Sequence, residues 1–263
     1  MKVAYQGEPG AYSEEALLEY IPTCNPVSCP SLEDVWKAIE NGNASSGFVP
    51  IENSIEGSIT RTFDLLWDRS ILIRGEHIFR VHHCLIALPG VKLKEIKRVY
   101  SHPQALGQCR EFLKNHNYEA IGWYDTAGSV KMIKSEGIRD AAAIASRRAA
   151  ELYELNVLSE GLESSSQNYT RFIQISKEGR TDHGKTTIAF TLKNESYTLA
   201  NALGAMGNLV KITMIESRPI VGSPWNYIYT LDLVGDTSEA VRKIIAFSNT
   251  LKILGSYQPD QSY

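Results

Sequence analysis

From Met1 to about Ile175, short apolar runs alternate with amphipathic stretches. Val3-Ala4-Tyr5 predicts a strand, Ser13 to Tyr20 and Ser31 to Asn41 predict helices, and Ser46-Gly47-Phe48-Val49-Pro50 predicts another buried strand. The pattern then repeats. Gly75 to Ala87 reads as strand, Arg98-Val99-Tyr100 as a short strand, Pro103 to Asn115 and Ser129 to Ser135 as helices, and Ala141 to Ala145 as a buried strand before a helix from Arg147 to Tyr153. Strands and helices alternating at these lengths predict a layered α/β domain with substantially parallel sheet, here as two similar lobes with a cleft between them. Ser31, Pro103 and Ser146 stand at helix starts. There, unpaired backbone N–H groups either hold an anion or are satisfied by a capping side chain.

A polar run from Ser176 to Lys185, carrying Gly179 and Gly184, interrupts this pattern and predicts an interdomain linker. We set the first domain at residues 1–177, the linker at 178–185 and a second domain at 186–263. Beyond the break the pattern predicts a strand Thr186 to Leu192, a helix Thr198 to Leu209, and strands Lys211 to Ile215 and Tyr227 to Val234. A helix Ser238 to Ser248 and a last strand Leu251 to Tyr257 complete it. This βαββαβ order is the ferredoxin-like plan.

Composition narrows the class. The chain has 263 residues, 43% hydrophobic and 22% charged, with a formal net charge of -3. That is enough apolar residue for a real core, and there is no basic block of the kind nucleic-acid binding needs. No apolar stretch is long enough to span a bilayer, and the first residues pass into a strand-like run without a signal-type apolar core, so the expected location is cytoplasmic. Cys24, Cys29, Cys84 and Cys109 show no CxxC spacing and read as reduced, mostly buried thiols. His82-His83-Cys84 resembles a metal cluster only superficially, because adjacent residues on a strand point to opposite faces.

Candidate chemistry concentrates at Asn168-Tyr169-Thr170-Arg171-Phe172. There the polar run Ser164 to Gln167 passes into the alternating stretch Phe172-Ile173-Gln174-Ile175. A loop entering a strand at this point would place a neutral hydroxyl beside a permanently charged guanidinium at the strand's mouth, a pairing suited to an anionic substrate that must receive a proton. The plainer alternative is a loop whose Thr and Arg only cap backbone groups.

Four further strings stand in register with this one: Gly7-Glu8-Pro9-Gly10-Ala11-Tyr12-Ser13-Glu14-Glu15-Ala16, Val49 to Ser58 (Val-Pro-Ile-Glu-Asn-Ser-Ile-Glu-Gly-Ser), Ser101-His102-Pro103-Gln104-Ala105-Leu106, and Glu216-Ser217-Arg218-Pro219. In order and spacing they resemble the prephenate dehydratase family over nearly the whole chain. The resemblance implies a two-lobed, periplasmic-binding-protein-like (type II) catalytic domain followed by a ferredoxin-like ACT regulatory domain. It also implies decarboxylative dehydration of prephenate to phenylpyruvate without a cofactor or metal, in a homodimer or homotetramer controlled by phenylalanine. The chemistry agrees with the lack of cofactor motifs, because aromatisation drives loss of water and carbon dioxide. The protein need only supply a hydrogen bond to the departing oxygen and fixed donors for two carboxylates.

The same resemblance implies roles for individual residues. Thr170 would donate to the leaving hydroxyl, and Arg171 would clamp a carboxylate or hold the loop through an ion pair. Asn53 and Ser101 would donate to a carboxylate or to the pyruvyl oxygen. Glu52 would act in catalysis or as a structural partner. Gln104, Gln108, Asn168 and Phe172 would complete the substrate site, with the Phe172 ring packing beneath the motif and His102 structural. In the tail, Glu216, Ser217, Arg218, Pro219 and Leu199 would bind phenylalanine, although Ser196-Tyr197-Thr198-Leu199 replaces the family's usual Pro-Gly-Ala-Leu. Tyr5 to Ser13 and Val81-His82-His83-Cys84-Leu85 resemble arogenate dehydratases equally well, so arogenate is the alternative substrate. An amino-acid sensor or solute binder without catalysis is the rival of another class, and an ACT domain that serves only assembly is the rival reading of the tail.

Overall fold

The computed structural model describes residues 1–179, 184–193 and 199–260. The chain begins with β1 (Lys2–Gln6), α1 (Tyr12–Tyr20), β2 (Asn25–Cys29), α2 (Leu32–Glu40), β3 (Ser46–Asn53), β4 (Gly57–Ser58), α3 (Thr60–Asp68) and β5 (Leu72–Arg80). Then come β6 (Cys84–Ala87), β7 (Arg98–Ser101), α4 (Pro103–Gln108), α5 (Arg110–Asn115), β8 (Glu119–Gly122), α6 (Thr126–Glu136), β9 (Ala141–Ala145), α7 (Arg147–Tyr153), β10 (Asn156–Glu160) and β11 (Tyr169–Ser176). The tail holds β12 (Lys185–Leu192), α8 (Leu199–Met206), β13 (Val210–Pro219), β14 (Tyr227–Gly235), α9 (Thr237–Ile245) and β15 (Ser248–Tyr257).

Helix starts follow local chemistry. The Ser31 hydroxyl accepts from Asp34 N at 3.2 Å, Asp125 from Gly128 N at 2.8 Å, Ser146 from Ala149 N at 2.9 Å and Asp236 from Glu239 N at 3.1 Å. Each satisfies one of the orphan donors of a first turn. At α4, Pro103 occupies the first turn and the His102 ring accepts from Gln104 N at 3.3 Å. The three helix starts singled out as possible anion sites therefore have capping side chains or proline in place.

Two sheets repeat one plan. The first runs β2-β1-β3-β11-β5, with β4 on β3, and the second runs β10-β6-β9-β7-β8. In each, a parallel trio (β2-β1-β3 and β8-β7-β9) is followed by a strand that is not consecutive with its neighbour, β11 beside β3 and β6 beside β9. This is the type II periplasmic-binding-protein-like arrangement. The second sheet is covered on both faces. Ala141, Ala143 and Ala145 point into one apolar cluster with Val130 and Ile133 of α6, while Ala142 and Ile144 point into another with Val99, Leu106 and Leu113. Small side chains on this face of β9 let α6 approach closely, which accounts for alanine at positions 141, 143 and 145.

The tail forms its own four-stranded antiparallel sheet in the order β13-β14-β12-β15. Ile188, Phe190, Leu231 and Leu233 meet Ala202 and Met206 of α8 and Ala240, Val241 and Ile244 of α9. The βαββαβ expectation is borne out in element order and in strand order.

By its contacts the described chain divides into two compact units. The first is Met1–Phe48, Glu52–Gly57 and Ile78–Arg171; the second is Val49–Ile51, Ser58–His77 and Phe172–Tyr263. The second unit thus contains α3 and most of β5 together with the tail. Gly255 shows why: its α-carbon lies against the main chain of Ile73, leaving no room for a β-carbon. Of the expected linker, residues 180–183 lie outside the described residues.

Several boundaries differ from expectation. The expected strand Gly75 to Ala87 is two strands, broken at residues 81–83, where His83 turns inward and is 2% exposed. The expected helix Pro103 to Asn115 divides at Cys109, and β13 continues through Pro219. Tyr169, Thr170 and Arg171 already belong to β11 instead of the loop before it. The pattern also missed β2, an edge strand that tolerates Pro26 because its outer side needs no ladder bond, and α3.

Candidate active site

Three strings far apart in sequence converge in the first unit. The end of β3 brings Asn53, the start of β11 brings Asn168, Tyr169 and Thr170, and α4 brings Gln108. Ser54 joins the first two: its N–H donates to Tyr169 O at 2.8 Å, its hydroxyl donates to Gln167 O at 2.6 Å, and it accepts from Tyr169 N at 2.9 Å. Val81 N donates to Asn168 O at 2.8 Å, fixing the same corner from the end of β5.

Asn53, 7% exposed, is the centre of the cluster. Its Oδ1 accepts from Ile55 N at 2.9 Å and Glu56 N at 3.0 Å, so the amide is held with its nitrogen facing β11. That nitrogen lies 3.0 Å from Asn168 Oδ1, 3.1 Å from Tyr169 O and 2.9 Å from Thr170 Oγ1. A hydroxyl has one proton and two lone pairs. Because Thr170 Oγ1 accepts from Asn53, its own proton remains available to another acceptor, and Thr170 is 8% exposed.

The hydrogen bonds continue beyond Asn168. Its Nδ2 donates to Gln108 Oε1 at 2.9 Å, and His83 Nε2 lies 2.7 Å from the same oxygen. His83 Nδ1 lies 2.6 Å from the Tyr12 hydroxyl, with the two rings edge to face at 5.4 Å. Gln108 Nε2 reaches Glu56 Oε1 at 3.4 Å. Burial holds the His83 imidazole below its usual range and pushes the Tyr12 phenol well above its own, so both are neutral near pH 7. Glu163 supports the turn, its carboxylate accepting from His83 N at 3.0 Å and pairing with His82 at 3.3 Å.

α1 delivers Tyr12 from a tight turn. Gly10, at φ +91°, lies so close to Ala149 that a β-carbon would come within 2.9 Å of its Cα, and Ser146 Oγ donates to Gly10 O at 2.5 Å.

The structure therefore gathers Asn53, Gln108, Asn168 and Thr170 of the expected site. Arg171, the next residue on β11, is half-buried. Gln104 is exposed on α4, and Glu52 is half-buried at the end of β3. Ser101 corrects its expected donor role: it is 0% exposed and its hydroxyl donates to Ile144 O at 2.6 Å, so the proton is spent on β9. Phe172, 2% exposed, is a core residue instead of part of a substrate site. Tyr12, His83 and Ser54 were missed as site residues. They lie within the strings read from the sequence, but their pairing across tens of residues has no local signal.

The expected regulatory residues lie in the second unit. Arg218 pairs with Asp64 of α3 through Nε at 3.1 Å and a second nitrogen at 3.2 Å, a two-point contact. Glu216 accepts from the Ser58 hydroxyl at 2.6 Å. Ser217 and Pro219, which alternate with them along β13, are exposed, and Leu199 packs against the tail core. Tyr197 and Thr198 lie outside the described residues.

Comparison with known proteins agrees with this architecture. The prephenate dehydratase family profile matches residues 3–180. Arogenate dehydratase 3 of Arabidopsis thaliana, a chloroplastic protein, is 38% identical over 100% of this chain and 68% of its own length. Its chloroplastic location overturns the cytoplasmic expectation, which rested only on the lack of a membrane-spanning or signal-like run. Among solved structures, GqqA, described as a novel type of quorum quenching acylase, superposes with a TM-score of 0.92 at 31% identity, covering 99% of both chains. The prephenate dehydratase of Arthrobacter aurescens in complex with L-Phe superposes with a TM-score of 0.88 at 29% identity, covering 98% of this chain and 90% of that one. With a family match over most of its length and strand ends that carry the family's Asn and Thr side by side, the chain belongs to the prephenate dehydratase family.

Proposed function

We propose that this protein converts prephenate to phenylpyruvate, expelling water and carbon dioxide together. The observation that carries the reading is the Asn53–Thr170 hydrogen bond, which leaves the Thr170 proton free for a departing oxygen. As the carbon–carbon bond to the ring carboxylate breaks and carbon dioxide departs, its electrons form the aromatic ring and the hydroxyl leaves with its bonding pair, as hydroxide that a proton from solvent converts to water. No general base takes part. A preorganised neutral donor stabilises the oxygen as it gains charge and adds no anion beside a dianionic substrate. Arg171 serves as the carboxylate clamp, with Gln104 and Gln108 as secondary donors and Glu52 as a partner that holds the strand end.

In the same reading, residues 1–177 form the catalytic domain and 186–263 an ACT domain, joined by a linker at 178–185, in a homo-oligomer. Phenylalanine binds at β13 and the start of α8 and inhibits. L-Phe in the Arthrobacter aurescens relative supports this. The second reading is arogenate dehydratase, favoured by the Arabidopsis thaliana relative; its substrate differs only in an amino group in place of the keto oxygen.

Turnover of the two substrates by the purified protein tests the proposal. The expected result is a higher kcat/KM for prephenate, with phenylpyruvate as product. A higher value for arogenate would select the second reading, and binding without turnover of either would reduce the protein to a sensor.

A further inference from the structure

We propose that Tyr12 and His83 are positioning residues for the Thr170 hydroxyl, acting through Gln108, Asn168 and Asn53; the inference rests on the reading of Thr170 as the donor. Each side chain in the series has an orientation that depends on its neighbour. Gln108 Oε1 has two nitrogen atoms against it, His83 Nε2 at 2.7 Å and Asn168 Nδ2 at 2.9 Å, and both must carry hydrogen for the contacts to be favourable. A neutral imidazole with its proton on Nε2 has a bare Nδ1. The Tyr12 hydroxyl, 2.6 Å away, is the donor that this nitrogen needs. Tyr12 thus selects the His83 tautomer.

The far end is pinned separately. Ile55 N and Glu56 N hold Asn53 Oδ1, so Asn53 cannot turn its amide over. If the His83 proton moved to Nδ1, Nε2 would face Gln108 Oε1 lone pair to lone pair. Turning the Gln108 amide to relieve this would set its nitrogen against Asn168 Nδ2, and turning Asn168 would set nitrogen against Asn53 Nδ2. The misfit travels until it reaches the bond that Asn53 makes to Thr170 Oγ1. With both ends pinned, one arrangement satisfies every member, and in that arrangement Thr170 receives from Asn53 and donates outward. The donors converge on Gln108 Oε1, from His83 on one side and from Asn168 on the other, so the series orients groups and does not conduct a proton.

Steady-state kinetics on Tyr12→Phe, which removes one oxygen and keeps the ring, is the test. We expect kcat to fall about tenfold with KM within about twofold, because the orientation matters most as the leaving oxygen gains charge. In a Thr170→Val background the same substitution should have no further effect, a non-additivity that a purely structural tyrosine does not produce. His83→Gln, which keeps a donor toward Gln108, should retain more activity than His83→Leu. Nitrogen NMR of the imidazole supplies a readout independent of turnover: the proton on Nε2 in the parent, and a mixture of tautomers in Tyr12→Phe. A parent-like kcat in Tyr12→Phe, an equal loss in the Thr170→Val background, or a parent imidazole protonated on Nδ1 would overturn the inference. A parent that turned over neither prephenate nor arogenate would instead refute the functional reading beneath it.

Discussion

Around Asn53 the polar groups are neutral, buried and mutually satisfied, whereas β13 meets α3 through charged groups that are part exposed. Asn53, Asn168 and Thr170 are each at most 8% exposed, while the Arg218 and Asp64 side chains are 28% and 30% exposed. The difference sets what each region can do. A buried amide that loses its partner costs about 1–3 kcal/mol, so the Asn53 cluster has one arrangement and keeps it. An ion pair reached by water contributes about 0–1 kcal/mol, so the β13 contact can open and close within the energy of a ligand. Rigid neutral donors suit a site that must stabilise charge without reorganising, and a weak ionic contact suits a surface that responds.

Putting charge into the neutral region should produce the largest effect. Asn53→Asp keeps the shape and still accepts from Ile55 N and Glu56 N, but its second oxygen would face Asn168 Oδ1, Tyr169 O and Thr170 Oγ1. The Thr170 proton would turn toward the new carboxylate. We expect kcat to fall at least about a hundredfold, and stability to fall by about 3–5 kcal/mol from the unpaired buried charge. Kinetics and denaturant unfolding measure both. A variant with parent activity would show that the orientation of Asn53 is immaterial.

Removing charge from the responsive region should do much less to the fold. For Arg218→Met we expect a stability change below about 1 kcal/mol and uninhibited turnover near the parent value. The phenylalanine concentration for half inhibition should rise about fivefold, at the low end of ordinary coupling energies. Inhibition identical to the parent would detach the ion pair from control.

A smaller effect sharpens the contrast. Glu15, one turn beyond the Tyr12 end of the cluster, is pushed up to about 7 by burial. A carboxyl whose folded value exceeds its unfolded value stabilises the fold fully below the unfolded value near 4.5, and that stabilisation is lost as pH rises through about 7. Glu15→Gln should therefore lose less stability than the parent between pH 5 and 8, by about 1 kcal/mol or less once water reaching this half-buried carboxyl has screened the effect. Parallel pH profiles from urea unfolding would place Glu15 in a wetter setting than its burial implies.

Local pattern carried much of this architecture. Period and caps defined most helices, alternation defined the tail's strands, and the motif strings contained Asn53, Asn168 and Thr170, with Gln108 two residues past the end of one of them. What escaped was set by distance. The inward turn of His83 divides an apolar run that reads as continuous, and its reason is a tyrosine on α1 and a glutamine on α4. Ser101 looked like a donor because a serine's type does not reveal that a neighbouring strand's carbonyl has taken its proton. Arg218 meets Asp64 of α3 and Glu216 meets Ser58 of β4, contacts that no local pattern ties to the tail.

The central claim is that Thr170, held by Asn53, donates to the departing oxygen. Comparing Thr170→Val with Thr170→Ser on prephenate and arogenate tests it most directly, since valine keeps the shape without the hydroxyl and serine keeps the hydroxyl without the methyl. The valine variant should lose about a hundredfold to a thousandfold in kcat with KM little changed, while the serine variant should keep at least about a tenth of parent activity. A folded valine variant at the parent rate, or a serine variant no better than valine, would contradict it.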